Sequence, residues 1–367
     1  MTGIYIHLPF CKRKCPYCAF YSGCDLTLLE DYTGALCRNI EAYEGQGIGA
    51  DTVYFGGGTP SLMSPEQVGR VLESCAKAFV LDSPEVTLEA NPSSVTKDKL
   101  KGYRSAGVNR LSLGIQSLDD KELSLIGRLH DSEEARRAAD AALSAGFDNI
   151  SGDLMIGIPA QTLDSFDRTV SAMTELPLSH ISAYMLKLEE ETPFGRNGTG
   201  APCADEETVS DMYLEMVRSL ESRGFLQYEI SNFSLPGRES RHNMKYWRGE
   251  EYLGFGAGAH SFFGGCRYAV PQDTAGFIAS PLQQRVITDQ SPDRGEEYVM
   301  LGLRLREGID LDRAGELLGD GRGGQMKDFA QRLCEAGLAH LDGSRLSLVP
   351  EGFLVSNSII SGLLYGG

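Results

Sequence analysis

The chain has 367 residues, 41% hydrophobic and 23% charged, with 51 acidic against 34 basic side chains and a formal charge of −17. This supports one large core with a smaller domain beside it and excludes disordered and collagen-like classes. An acidic surface repels polyanions and no apolar run approaches the roughly 20 residues that span a bilayer, so nucleic-acid and transmembrane roles are set aside. No charged leader with an apolar core is present, and the expected location is the cytoplasm. Nine cysteines, four of them between positions 11 and 24, point to metal binding or catalysis rather than a secreted disulfide framework.

From the start to about residue 192, short β-branched and aromatic runs alternate with amphipathic helical stretches, the pattern of βα units. Strands are expected at 3–8, 52–55, 85–89, 110–115, 149–156 and 180–186. Helices are expected in "LLEDYTGALCRNIEAYE", "SPEQVGRVLESCAKAF" and "DSEEARRAADAALSAG". Ser64-Pro65 reads as an N-cap with proline at the first helical position, and Gly107 and Gly146 read as C-caps. Six units predict an α/β fold, a partial (β/α)6 barrel rather than the closed eight-stranded form.

After the turn-rich "FGRNGTGAP", "DEETVSDMYLEMVRSLESRGF" and "YEISNFS" read as helix-like, followed by the glycine-dense "YLGFGAGAHSFFGG". The G-x-G-x-G in this stretch lacks the spacing and preceding βαβ start of a dinucleotide fingerprint. From about 291 come a helical run, the loop "GDGRGG", a helix near 325–336 and the strand pair "LAHLD" and "RLSLV", a small winged-helix-like domain. From Asp293 onward twelve acidic residues face eight basic ones, which argues against DNA binding. The expected divisions are 1–192, a barrel-completing extension at 193–290, and 291–367.

Cys11, Cys15 and Cys18 form C-x3-C-x2-C, which lets a short loop offer three thiolates to one inorganic centre; soft thiolates select zinc, copper(I) or an iron–sulfur cluster. Structural zinc needs a fourth ligand, for which Cys24 is available. With three thiolates on a cubane cluster, one iron stays open for chemistry.

The C-x3-C-x2-C beside an aromatic, at the end of a first barrel strand, resembles the radical S-adenosylmethionine (SAM) superfamily. The resemblance implies a [4Fe–4S] cluster on Cys11, Cys15 and Cys18 whose open iron chelates SAM, and reductive cleavage of SAM to a 5′-deoxyadenosyl radical. The glycine run in "YFGGGTP" can approach a ligand closely and offer N–H donors; the family match carries Gly57, Gly58 and Thr59 across as contacts to the SAM amino group. Glu89 in "LEANP", Gln116 in "LGIQS", Arg128 in "LIGRLH" and Asp153 in "GDLMIGIP" match further SAM contacts, carboxylates suiting hydroxyls or an ammonium and arginine suiting a carboxylate. Tyr5 and Tyr17 match SAM-contacting positions too; aromatic packing around the cluster is their other reading.

Over nearly its whole length the chain resembles the coproporphyrinogen III oxidase-like group of that superfamily. The oxygen-independent coproporphyrinogen III dehydrogenase branch carries a further cysteine two residues after the third and an N-terminal extension. Here that position is Phe20 and the extension is missing, as in the HemW-type heme chaperone branch. "RHNMKYW" matches the HNxxYW motif of the latter, with Trp247 the single tryptophan. The resemblance implies heme as cargo and a heme-acceptor protein as partner. His242 is the first candidate for an axial imidazole; equally, His242 and Asn243 could tie a loop to the barrel while Tyr246 and Trp247 fill core. His7 and His260 are lesser candidates, His7 reading more readily as a hydrogen-bonded loop histidine. Lys12-Arg13-Lys14 suits steering of an acidic electron donor of flavodoxin type, or simply a solvated loop.

Overall fold

The computed structural model describes residues 1–319 and 323–366. Six strands, β1 (Thr2–Leu8), β2 (Gly49–Gly57), β3 (Val80–Ala90), β4 (Arg110–Gln116), β5 (Ile150–Ile156) and β6 (His180–Met185), lie parallel and side by side in chain order. Each falls where hydrophobic patterning places it, because a strand crossed over by helices is apolar along most of its length. On β1 the outward-facing Ile4, Ile6 and Leu8 are fully buried, each contributing roughly 1.5–3 kcal/mol. Tyr5 and His7 alternate with them and face the lumen.

The crossovers are held by local chemistry. Helix Pro65–Ala78 starts at Ser64, whose hydroxyl accepts from the Gln67 amide while the Gln67 side chain accepts from the Ser64 amide. Helix Lys97–Ala106 ends on Gly107 at φ +115°, and Gly146 at φ +93° follows helix Ser132–Ser144, conformations that favour glycine.

Beyond β6 the chain differs from expectation at one point. "YEISNFS", read as helix-like, forms β7 (Leu226–Glu229) and β8 (Asn232–Ser234), an antiparallel pair on the outer edge of β6. Its alternation escapes a hydrophobic count because the inward positions are polar: Gln227, Glu229, Asn232 and Ser234 are all buried. A preceding helix, Glu206–Ser222, lies where expected.

β9 (Tyr252–Phe255) then returns across the molecule and pairs in parallel with the free edge of β1. β10 (His260–Phe263), β11 (Cys266–Ala269) and β12 (Val286–Asp289) extend it antiparallel. The result is one twelve-stranded sheet with β12 and β7 at its two edges, curved around a lumen but unclosed among the described residues.

β13 (Ile309–Asp310), β14 (Ala339–Asp342) and β15 (Arg345–Leu348) form a separate three-stranded sheet in the order β13-β15-β14, flanked by helices Arg294–Gly302, Leu311–Leu318 and Gly323–Glu335. Asp320, Gly321 and Arg322 of the glycine-rich loop lie outside the described residues. The apolar "IISGLLYG" belongs to helix Ser356–Tyr365, which buries Ile359, Ile360, Leu363 and Leu364. No helix among the described residues is long and apolar enough to cross a membrane.

Candidate functional site

The C-terminal ends of β1 to β6 surround a cavity of about 450 Å³. Its wall brings together Cys11, Cys15, Cys18, Tyr17, Gly57, Gly58, Thr59, Glu89, Gln116, Arg128 and Asp153, residues scattered over 143 positions of sequence. This is the end of a parallel sheet where loops following the strands meet.

The cysteine loop follows β1 and is clamped at several points. The Cys11 amide donates to Gly23 O (2.9 Å), the Gly23 amide to Pro9 O (2.8 Å), and the Phe194 amide to Pro16 O (3.0 Å). Arg13 donates to Gly127 O (2.7 Å) and Lys12 reaches Ser93 O (3.4 Å), so two of the three basic residues staple the loop while staying exposed. Cys11, Cys15 and Cys18 are free and half-buried, whereas Cys24 is exposed and absent from the cavity wall. No set of three or more His, Cys, Asp or Glu side chains among the described residues is already drawn to metal-ligating separation. Burial, together with Cys15 and Cys11 nearby, pushes the Cys18 thiol up. Thr59 Oγ1 and Arg128 Nη1 approach Cys11 Sγ (3.6 Å) and Cys15 Sγ (3.7 Å), placing donors where negative charge on sulfur would be stabilised.

The glycine run is dictated by packing. Gly57 sits at φ +111°, and a Cβ there would lie 2.7 Å from the His7 ring; one on Gly58 would lie 2.5 Å from Phe10 O. The expectation that this run offers free N–H donors needs correction. The Gly58 and Thr59 amides already donate to Leu8 O and Phe10 O, both at 2.7 Å, locking β2 to the start of the cysteine loop. An ammonium is itself a donor and needs acceptors, so this saturation does not oppose it.

Glu89 ends β3 and accepts from Tyr54 OH (2.9 Å); Asp153, on β5, accepts from Ser112 Oγ (3.1 Å). Both border the cavity and are half-buried. Burial, then the Asp153 charge, pushes the Glu89 carboxyl up to about 7; burial pushes Asp153 up to about 6. Gln116 holds φ +71°, a strained conformation for a residue with a side chain and of the kind that gathers at functional sites. Arg128 folds back to Gly114 O (2.6 Å), leaving its Nε buried without a partner. Arg110, a lining residue that sequence reasoning missed, is 1% exposed and its Nε also lacks a partner. The signal for it was available: a lone charge opening an otherwise apolar strand, "RLSLGI". Three thiols on one loop, two carboxylates and two buried guanidinium groups with unused donors suit a soft-metal centre beside a ligand carrying ammonium, carboxylate and hydroxyl groups.

Two expected residues stand elsewhere. Tyr5 is absent from this wall: its ring stacks on Tyr54 (6.2 Å between centroids) and its hydroxyl meets His7 Nδ1 (3.0 Å). His242 is 1% exposed, with Nδ1 2.8 Å from Thr52 Oγ1 and Nε2 2.8 Å from Tyr246 OH. Burial lowers its pKa to about 3, so it is a neutral core histidine. Both nitrogens being engaged, the expectation of an axial ligand at His242 gives way to the other reading, in which the motif ties the chain to the barrel. Helix Arg241–Trp247 is moored by Glu85, which accepts from the amides of Arg241 and His242, and by Lys245, bonded to Met1 O. Asn243 of the same motif does line the cavity. A second cavity, about 550 Å³, lies at the opposite ends of β2 and β3 among Asp51, Glu85, Arg241 and Lys245; its lining has no cysteine, Asp51 pairs with Arg241 and Lys245, and Glu85 accepts from backbone amides.

Residues 5–173 match the radical SAM superfamily and residues 290–355 match the HemN C-terminal domain. With the half-barrel and its cysteine loop, this makes the chain a radical SAM protein with a HemN-type C-terminal domain. It is 34% identical over 99% of both chains to the heme chaperone HemW of Bacillus subtilis (strain 168). It is 38% identical to the mitochondrial radical S-adenosyl methionine domain-containing protein 1 of Bos taurus, over 84% of this chain and 70% of that one. In fold it matches coproporphyrinogen III oxidase (HemN) from Escherichia coli, a radical SAM enzyme, with TM-score 0.82 at 20% identity, over 99% of this chain and 90% of the other. The chain therefore belongs to the HemW heme chaperone family, within the coproporphyrinogen III oxidase-like group.

Proposed function

We propose that the protein is a cytoplasmic heme chaperone: it binds heme as cargo, passes it to an acceptor protein, and carries a resident [4Fe–4S] cluster and SAM. The observation that carries the cofactor part is the meeting of Cys11, Cys15 and Cys18 with Glu89, Gln116, Arg128 and Asp153 around one cavity. The names of the full-length relatives support the cargo. In this reading the three thiolates hold the cluster, Tyr17, Gly57, Gly58 and Thr59 shape the adjoining wall, Arg128 pairs with the SAM carboxylate, and Glu89 and Asp153 accept from its ammonium and hydroxyls. When bound, the cluster supplies a one-electron donor at its open iron. The residues of this chain orient the ligand there and screen it from water. The triplet Lys12-Arg13-Lys14 stays exposed enough to orient an acidic flavodoxin-type donor. The reading divides the chain into a cofactor half-barrel (1–192), an extension that adds strands to it (193–290) and a winged-helix-like unit (291–367).

Oxidative decarboxylation of coproporphyrinogen III is the second reading, suggested by the shared fold; Phe20, in place of that branch's extra cysteine, weighs against it. Anaerobically reconstituted protein should bind hemin saturably and release it to an apo-hemoprotein, with no decarboxylation of coproporphyrinogen III in the presence of SAM and reductant. Decarboxylation without saturable hemin binding would reverse the order of the two readings.

A further inference from the structure

Beside the cofactor cavity the lumen holds another, of about 360 Å³, on the side where β1 meets β9 and β10. The two share Phe20, a large apolar side chain left 68% exposed. The walls are aromatic: Tyr5, Tyr21, Tyr246 and Tyr252, the last two meeting edge to face at 4.6 Å. A volume of this size open to solvent admits a flat apolar ligand inserted edge first.

Among the ring side chains of this wall that carry a polar atom, all but one are engaged; the exposed amide of Gln272, which is not a soft-metal ligand, is the other free group. Tyr5 OH is joined to His7 Nδ1 (3.0 Å), and His7 Nε2 to Tyr21 O (3.2 Å). Tyr21 OH bonds Thr274, Tyr246 OH bonds His242, and Tyr252 OH receives Arg267 (3.5 Å). Burial holds the Tyr5, Tyr246 and Tyr252 hydroxyls above their ordinary range, so none readily becomes a tyrosinate ligand. His260 is different. It opens β10, its backbone is fixed by pairing with Ala269, and its exposed imidazole makes no hydrogen bond to any described residue. An imidazole with a free nitrogen at the mouth of an aromatic slot is an iron ligand in waiting.

We propose that His260 is the axial ligand of the heme cargo, which sits in this slot against Phe20 and next to the cluster cavity. The proposal deepens the heme chaperone reading and rests on it. Its test is a hemin titration followed by absorption and resonance Raman spectroscopy, on wild type, His260→Ala and His7→Gln, with circular dichroism to verify folding. Wild type should give a saturable one-to-one Soret band with a histidine–iron signature. His260→Ala should bind at least about tenfold more weakly, roughly the effect of losing 1.4 kcal/mol, and recover the band with added free imidazole. His7→Gln should keep the histidine–iron signature. Unchanged binding by a folded His260→Ala overturns the ligand assignment while leaving the chaperone reading standing. Absence of saturable binding in wild type overturns both.

Discussion

Thr52 Oγ1 lies 2.8 Å from Nδ1 of His242, tying the helix that carries the family motif to the second strand of the sheet. With Tyr246 on the other ring nitrogen, His242 is a structural bracket beneath the lumen rather than a group aimed into it. His242→Ala should therefore cost stability, about 2–4 kcal/mol for a buried side chain whose partners are left unsatisfied. Urea unfolding monitored by Trp247, on the same helix, measures this directly. Hemin affinity of the folded variant should change by less than about threefold; a selective loss of heme binding at unchanged stability would restore His242 as a ligand.

The thiol loop gives a prediction by composition. Cys11→Ala, Cys15→Ala and Cys18→Ala should each lose most of the roughly four irons that a reconstituted cluster brings. Cys24→Ala should retain them, since Cys24 is exposed and off the cavity wall. Iron and sulfide assays on the four variants decide it, and iron loss in Cys24→Ala would revive the four-thiolate alternative.

Arg128 is poised by Gly114 O but keeps a buried donor without a partner. If that donor serves the SAM carboxylate, Arg128→Ala should weaken SAM binding about 10–100-fold with iron content preserved, and Arg128→Lys should rescue little, because an ammonium cannot reproduce the planar fork. Equilibrium dialysis with labelled SAM measures it; undiminished affinity in both variants would remove Arg128 from the site.

The carboxyl pair predicts opposite pH trends for stability and binding. Glu89 and Asp153 have folded-state values raised to about 7 and about 6, so between about pH 4 and 7 the folded protein holds protons that the unfolded chain has released. Stability of the cofactor-free protein thus falls as pH rises through that window. Glu89→Gln should remove part of the fall, its thermal midpoint gaining on wild type toward pH 7. A cationic or hydroxyl donor favours ionised Glu89, so SAM binding should tighten from pH 6 to 8 in wild type and be weaker and flatter in Glu89→Gln. A pH-independent wild-type affinity would contradict the contact.

The six parallel strands, and which motifs meet around the cavity at their C-terminal ends, were legible because both obey short-range rules. Strand periodicity is local, and motifs such as C-x3-C-x2-C and GGGTP keep their spacing wherever the loops end up. What escaped depends on partners distant in sequence. β7 and β8 turn polar side chains inward, toward neighbours such as Tyr213, which receives a bond from Gln227 (2.7 Å). One ring nitrogen of His242 is taken by Thr52, 190 residues away in the chain. Tyr5 is drawn away from the wall of the cysteine-lined cavity by the rings of Tyr54 and His242. Nothing in the residues around a histidine tells whether its nitrogens are already taken, which is why His242 read as the stronger candidate and His260 as the weaker.

The pairing of β9 with β1 has a consequence during synthesis. Once Gly57 has emerged, β1 can pair with β2, but its other edge finds Phe255 only after roughly 200 more residues, about 10–40 s of translation. Through that interval the nascent chain presents an unpaired strand edge, an open invitation to wrong pairing, while the thiol loop next to it already has its clamps from β2 and the loops up to Phe194.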